Sequence, residues 1–355
     1  MRIVVAMSGG VDSSVAAALL AQQGHEVIGL SMQLYDQSGR DRQIFGTCCT
    51  IDDLHDARRV AAQVGFPHYI VNFEQQFAET VVSDFVREYA AGRTPIPCVH
   101  CNGDLKFATL VERAAGFDAA FVATGHYARV VHDQLTSRYR LLRGADPAKD
   151  QSYFLFTLTQ AQLSHAMFPI GDLDKTAVRE HARQLGLMVA DKPDSHEICF
   201  VPDGDHTAFL ARNGVERSEG EIRNSAGAVI GHHDGVQRFT VGQRKGLGVS
   251  SPIPLYVVGI DAKENTVTVG PRAALERNSL TASGVNWTAG APPAAGSRGT
   301  AQIRHRHREA AATIHPIGPD RVSITFDDPQ AAIAPGQALV MYVGDEVLGG
   351  GWIDS

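Results

Sequence analysis

An α/β fold is predicted, with an N-terminal doubly wound parallel sheet followed by a small β-rich central domain and a C-terminal β-barrel-like domain. Three features of the chain predict it. Over the first two hundred residues, short β-branched runs alternate with longer stretches of helical periodicity, the rhythm of a parallel sheet with crossover helices. After about Asp205 helical periodicity almost vanishes, and short alternating segments separated by Gly, Pro, Asn and Asp take over. A Gly/Ala/Pro-rich stretch at residues 289–299 then interrupts those segments, and the expected domains are 1–205, 206–275 and 276–355.

Residues 3–6 read as the first strand, 13–23 as the first helix, 26–32 as the second strand, 51–64 as the second helix and 68–71 as the third strand. Thr50 is placed to cap the helix that begins at Ile51, with Asp53 completing a capping box. Further helices are expected at 77–91, 103–115 and 176–185, and a further strand at 119–123. In the β-rich part, strands are expected at 228–232, 238–241, 255–260 and 266–269, and beyond the break at 301–304, 321–326, 338–342 and 347–352.

The 355 residues, 44% hydrophobic and 20% charged, are enough for two or three cores. A net charge of −7 excludes a basic nucleic-acid tail, so a polyanion could be approached only through local fields. The chain shows no apolar run of membrane-spanning length, and its apolar start at 3–6 is interrupted by Ser8 and Gly9. No membrane partner is expected, and the expected location is the cytoplasm. Five cysteines, grouped as Cys48/Cys49, Cys98/Cys101 and Cys199, do not make a secreted disulfide framework; in a reducing compartment they are structural, metal-binding or reactive. Cys48 and Cys49, in a polar and interrupted stretch, are assigned to structure or to a loop.

Between the first strand and the first helix stands Ala6-Met7-Ser8-Gly9-Gly10-Val11-Asp12-Ser13-Ser14. Two glycines let the backbone approach a phosphate, the N–H groups of a helix start point at an anion, and the serines add neutral donors. Asp12 alone would repel phosphate, which suggests Mg²⁺ between its carboxylate and the phosphate oxygens. The loop has neither the lysine of a Walker motif nor GxGxxG spacing. A plain glycine turn before a serine-capped helix is the bland alternative.

The stretch from Thr94 to Phe107, TPIPCVHCNGDLKF, holds Cys98 and Cys101 as a C-x-x-C pair. Asn102 is a plausible N-cap, which would set Cys101 beside a helix N-terminus, where the dipole and Lys106 lower the thiol pKa. Such a pair can equally be a redox dithiol, half of a zinc site or two buried thiols. Cys199 stands in Lys192-Pro193-Asp194-Ser195-His196-Glu197-Ile198-Cys199-Phe200, and a lone cysteine is more often packing than chemistry.

The loop resembles the SGGxDS loop of the PP-loop ATP-pyrophosphatase superfamily. Together with TPxPCxxCNxxxKF and KPDSxxICF, the chain resembles, over essentially its whole length, the bacterial tRNA-specific 2-thiouridylase family. The strings ATGHYAR from Ala123, KDQSYFL from Lys149, TVGQRKGLG from Thr240 and PGQ from Pro335 are similar to that family as well. The resemblance implies ATP-dependent thiolation at C2 of the wobble uridine (U34) in tRNAs for Lys, Glu and Gln, through an adenylated intermediate. It implies Cys199 as the persulfide carrier, loaded by a cysteine desulfurase directly or through a relay protein, Cys101 as its attacking partner, and Asp12 at the reacting phosphates. ATP would be held by Ala6, Met7, Ser8, Gly9, Gly10, Val11, Asp12 and Ser13, with Met32 and Gly125 on the adenosine. Ile96, Pro97 and Cys98 would flank the flipped base, and His126, Lys149, Asp150, Gln151, Arg304, His305 and Gln337 would touch tRNA.

Arg304 to Arg308 is a run of five cationic or titratable residues, read either as a phosphate patch or as an exposed strand edge. Two positions depart from the family's pattern: Ile96 stands for an Asn and His305 for a Tyr. An alternative chemistry uses a [4Fe–4S] cluster on Cys98, Cys101 and Cys199. Another PP-loop synthetase would share the loop without the Cys199 motif. A non-catalytic tRNA-binding module would release no pyrophosphate.

Overall fold

The computed structural model describes residues 1–35, 50–194, 198–201 and 204–355. Cys48 and Cys49 lie outside the described residues, and the assignment made for them is not taken further.

The chain begins β1 (Arg2–Ala6), α1 (Val11–Gln22), β2 (Glu26–Gln33), α2 (Ile51–Val64) and β3 (His68–Asn72). Ile3, Val4 and Val5 of β1 are wholly buried, so this strand reads as an apolar run and not as an alternating one. Helix α1 is apolar on most of its circumference and is buried accordingly, whereas α2 shows an apolar stripe and a solvated face. Thr50 caps α2 as expected: its side chain accepts from Asp53 N, and Asp53 returns a bond to the Thr50 N–H. A helical stretch follows over residues 74–90, another over 97–116, then β4 (Phe121–Thr124), β5 (Ala128–Asp133), β6 (Arg138–Arg143), β7 (Ala166–Met167) and the helix Lys175–Gln184.

The first sheet has the order β3-β2-β1-β4-β7 and is parallel throughout. From β1 the chain proceeds outward to β2 and β3, and β4 returns on the other flank. The carboxyl ends of β1 and β4 therefore flank a topological switch point, where open α/β sheets bind ligands.

A second sheet, order β10-β11-β8-β9, is built from β8 (Gly220–Asn224), β9 (Val229–His233), β10 (Tyr256–Asp261) and β11 (Thr266–Gly270). The third contains β12 (Glu276–Asn286), β13 (Ser297–Gln302), β14 (Ala310–Pro316), β15 (Arg321–Ala331), β16 (Ala338–Val343) and β17 (Glu346–Ile353), and it closes into a barrel through β12–β17 pairing. The barrel also takes the β5–β6 hairpin as an extension, through Glu346 opposite Leu142. Leu141, Tyr153 and Phe156 share one apolar cluster with Val340, Tyr342 and Val347 of the barrel. Among the described residues no helix is long and apolar enough to cross a membrane.

Four expectations are corrected. Residues 238–241 are no strand: a 3-10 turn ends at Arg238, and Phe239 is drawn into the central core. Strand β13 stops at Gln302, and Arg304–Arg308 forms a turn before β14. Asn102 caps nothing, because the helix starts at Pro97 and passes through a π-helical turn over Cys101–Phe107. Cys101 is thus inside a helix and not at its start, and Cys98 occupies the first turn. Sequence periodicity also missed the β5–β6 hairpin, β7, β8, β12 and β14.

Candidate functional site

The phosphate loop leaves β1 at Ala6 and enters α1 at Val11. Gly9 has φ 74°, and a Cβ there would come within 2.1 Å of the Asp53 carbonyl oxygen, so only glycine fits between the loop and α2. Gly10 caps α1 without any side-chain bond, leaving the first-turn N–H groups available to an anion. The serines divide the work. Ser14 is wholly buried and donates to the Gly10 carbonyl at 2.8 Å, so it shapes the loop, whereas Ser8 is exposed to the cavity and Ser13 accepts from the Ser8 N–H.

Asp12 is not left to repel a phosphate. Lys175 Nζ lies 2.8 and 2.9 Å from its two carboxylate oxygens, and the Tyr127 hydroxyl donates to it at 2.8 Å. Burial and the Asp12 charge both push the Tyr127 hydroxyl well up, keeping it a donor. Lys175 also meets Asp194 at 2.8 Å, and Asp194 in turn holds Lys149 at 2.8 Å and Arg179 at 3.3 Å. Burial pushes the Asp194 carboxyl up, but the bonds from Lys149 and Lys175 outweigh it and hold its pKa at about 2. Two residues earlier, Lys192 Nζ reaches the Gly9 carbonyl at 3.0 Å and Asp53 and Asp56 at 2.6 Å each. The charge that pointed to Mg²⁺ at Asp12 is therefore met by a lysine; Asp12, at the cavity wall, remains a fitting oxygen donor for a metal that arrives with phosphate.

A cavity of about 850 Å³ opens at the switch point. It is lined by Ala6, Met7, Ser8, Gly10, Val11, Asp12 and Ser13, with Met32 and Gly125 on the strand ends; Gly9 stands behind, bonded to Lys192. A Cβ on Gly125 would come within 2.5 Å of the Ser13 N, so the backbone here packs closely on α1. A further part of the wall carries His126, Lys149, Asp150, Gln151 and His305.

Most of that wall is tied internally. Asp150 accepts from the Gly144 and Ser152 N–H groups and pairs with Arg143, and Gln151 exchanges bonds with the Tyr127 backbone. His126 Nδ1 bonds Thr124 Oγ1 at 2.7 Å, and burial followed by the Lys106 charge pushes its pKa down to about 3, so the ring is neutral. His305 packs on Phe154 with ring centroids 4.3 Å apart, so the residue standing for Tyr still makes an aromatic contact.

The remaining expected residues lie outside this lining. Cys101 is buried in an apolar cluster with Phe85 and Phe200, and Cys199 is half-buried against the same cluster; Cys98 is exposed. From the same helical stretch Lys106 lines the cavity, so one π-turned helix carries Cys101 and a cavity cation. Among the described residues no group of three or more Cys, His, Asp or Glu is placed to hold a metal ion. Cys98, Cys101 and Cys199 are brought together in no such group among those residues. Ile96 packs partly on the cluster shared with the barrel, beside buried Pro97. Gln337 donates to the Thr94 and Pro95 carbonyls at 2.9 and 3.4 Å, fastening this segment to the barrel, and Arg304 reaches the Ala331 and Ala332 carbonyls at 3.4 Å.

Sequence reasoning missed Lys175, Tyr127, Lys192 and Asp194 as site residues. The last three stand inside strings already singled out, and only Lys175 has no local signal.

Residues 1–203 match the family described as tRNA methyl transferase HUP domain, 207–271 the tRNA methyl transferase PRC-barrel domain, and 277–353 the aminomethyltransferase beta-barrel domain. The chain is 52% identical over 357 residues to a tRNA-specific 2-thiouridylase MnmA of Geotalea uraniireducens, covering 99% of this chain and 95% of that protein. It is 52% identical to the protein of that name from Geobacter metallireducens, covering 100% and 97%, and 51% identical to that of Solibacter usitatus, covering 99% of each. With its phosphate loop, paired cysteine motifs and three matched regions, the chain belongs to the tRNA-specific 2-thiouridylase MnmA family.

Proposed function

We propose that the protein is an ATP-dependent tRNA-uridine 2-sulfurtransferase that converts U34 of tRNAs for Lys, Glu and Gln to 2-thiouridine, with release of AMP and pyrophosphate. One observation carries this reading. At the switch point a phosphate loop without a lysine meets Lys175 and Lys192, and the segment that supplies Lys192 and Asp194 continues to Cys199. The phosphate-activating and sulfur-bearing parts of the site are thus joined in a few residues of chain.

The loop backbone favours binding the terminal phosphates of ATP and leaves the α-phosphorus open to attack. The uracil C2 oxygen forms a bond to that phosphorus, the bond to the β-phosphate breaks, and pyrophosphate leaves. Mg²⁺ bound with the phosphates would supply charge neutralisation, with Asp12 the residue to hold it. Cys199, loaded as a persulfide by a cysteine desulfurase or a relay protein, provides the sulfur. The terminal sulfur attacks C2 and AMP departs; the Cys101 thiolate then attacks the Cys199 sulfur, which frees the thiolated base and leaves a Cys101–Cys199 disulfide for a thiol reductant. Placement of both cysteines on one apolar cluster supports this pairing.

Mass spectrometry of anticodon nucleosides after incubation with ATP, Mg²⁺, tRNA and a persulfide source tests the proposal. The expected result is 2-thiouridine at U34 with equimolar pyrophosphate. Absence of thiolated base, or pyrophosphate release indifferent to tRNA, overturns it.

A further inference from the structure

The central domain carries a loop that the reaction does not use. Residues 240–248 contain three glycines with positive φ, Gly242 at 92°, Gly246 at 74° and Gly248 at 70°. The loop is pinned throughout. Gly242 N donates to the Val257 carbonyl at 2.8 Å, and Val257 N returns a bond to the Gln243 carbonyl at 2.9 Å. Gln243 accepts from the Thr240 N–H and donates to the Lys245 carbonyl, both at 3.0 Å, while Leu247 is buried in the central core. At the crest of this rigid turn Arg244 and Lys245 are exposed. A preorganised loop presents such side chains at a low ordering cost.

Most of the other described cations of this acidic chain are paired with carboxylates, among them Arg93, Arg129, Arg140, Arg143 and Arg238. Arg244 and Lys245 are in none of the ion pairs, nor are Arg304, Arg306 and Arg308. The segments that carry these two groups meet at Ala332. The Arg304 guanidinium reaches the Ala331 and Ala332 carbonyls, and a Cβ on Gly242 would come within 2.6 Å of the Ala332 Cβ. On the third side, the Thr94 hydroxyl donates to Thr240 at 3.2 Å, next to the segment of Ile96 to Cys98. Of the acids on this part of β15, Asp327 is taken by Arg298, leaving Asp328 to offset one charge. Arg306 and Arg308 at the cavity wall, Arg304 beside Ala332 and the loop of the central domain thus follow one another, with Asp328 and Glu276, which stands opposite Ala331, as the acids beside them.

We infer that Arg244 and Lys245 form a second phosphate grip, which holds the sugar–phosphate backbone of a structured RNA at a distance from the reacting base. This rests on the thiolation reading for the identity of the RNA and extends it. The protein would then read a folded stem beside its target nucleotide, and not the nucleotide alone. The ligand class follows from the chemistry: exposed, rigidly mounted and unneutralised cations in a net-negative protein suit a regularly spaced polyanion.

The test is RNA affinity as a function of salt, with a full tRNA transcript and with a heptanucleotide of the anticodon loop. The proteins are the wild type, Arg244→Gln/Lys245→Gln and the charge-keeping Arg244→Lys/Lys245→Arg. For the transcript, the Gln variant should lose about 1.4 to 1.8 from the log–log slope, roughly 0.7 to 0.9 per phosphate contact, and the charge-keeping variant should recover it. The heptanucleotide should bind all three proteins equally, and thiolation of the transcript should show a raised KM with kcat retained. A transcript slope unchanged in the Gln variant, with thermal stability intact, overturns the grip. So does an equal loss for transcript and heptanucleotide. A wild type that binds with the expected slope but never thiolates would sink the thiolation reading and leave the grip standing.

Discussion

Lys175 Nζ lies 2.8 Å from Asp12 Oδ1 and 2.8 Å from Asp194 Oδ1, bridging the phosphate loop to the segment that leads to Cys199. A cation from a helix 163 residues away thus balances a carboxylate that would otherwise face incoming phosphate unscreened.

Removing either partner should therefore have unequal effects. Lys175→Met leaves Asp12 uncompensated and should raise the KM for ATP about tenfold or more, one decade being about 1.4 kcal/mol. Asp12→Ala should abolish tRNA-dependent pyrophosphate release, by at least about a hundredfold, while the protein stays folded. In the Asp12→Asn/Lys175→Met pair, ATP affinity should recover relative to Lys175→Met alone. Additive losses in that double-mutant cycle would show that the two residues do not act as a pair.

Lys192 holds the Gly9 carbonyl together with Asp53 and Asp56. Lys192→Met removes the shared cation from two carboxylates of low exposure, leaving Asp53 to Thr50 and Asp56 to Arg59, and should cost about 1 kcal/mol of stability along with most of the ATP affinity. Urea midpoints and ATP titration measure the two losses. A variant with normal affinity would mean that the loop holds its shape without this clamp.

The cysteines should separate by chemistry. Cys98→Ala, at an exposed position, should retain most thiolation; Cys101→Ala and Cys199→Ala should lose it yet still release pyrophosphate. Cys101→Ala should also cost about 1 kcal/mol for a lost buried thiol. Loss of pyrophosphate release in either inactive variant contradicts a role confined to sulfur transfer.

His126 should make the protein acid-sensitive. Its folded pKa, about 3, is depressed below the ordinary 6.5, so the unfolded chain binds its proton first. The folded state keeps its full margin above pH 6.5 and loses it progressively as pH falls toward 3. His126→Gln should flatten the decline of stability between pH 6 and 4. An identical decline in wild type and variant would place the acid sensitivity elsewhere.

The parallel sheet was legible because strand and helix each impose a local period, and Thr50 with Asp53 announced α2 through three residues of spacing. The β5–β6 hairpin was not legible, since what stabilises it is β17, two hundred residues later in the chain. Residues 238–241 looked like a strand because Phe239 and Val241 alternate with polar neighbours, yet Phe239 is held by the central core and Gly242 turns the chain. The site divides in the same way. The loop is a contiguous string and could be read directly. Lys175 is one lysine among ordinary helix residues, and its meaning arises only when folding sets it on Asp12. Lys149, Asp150 and Gln151 were legible as a group, whereas their bonds to Asp194, Arg143 and Tyr127, made to other parts of the chain, were not.

The β5–β6 hairpin makes the boundary near residue 205 a poor place to cut. Leu141 of that hairpin, and Val99 and Phe107 of the cysteine-bearing helix, are wholly buried in the cluster completed by Ala338, Val340 and Tyr342. A fragment carrying the phosphate loop and all the cysteines would expose that apolar face and the unpaired edge of β6, an invitation to aggregate. The nucleotide-binding half is therefore not a portable cassette: swapping it onto another RNA-binding partner would require carrying β16 and β17 along with it.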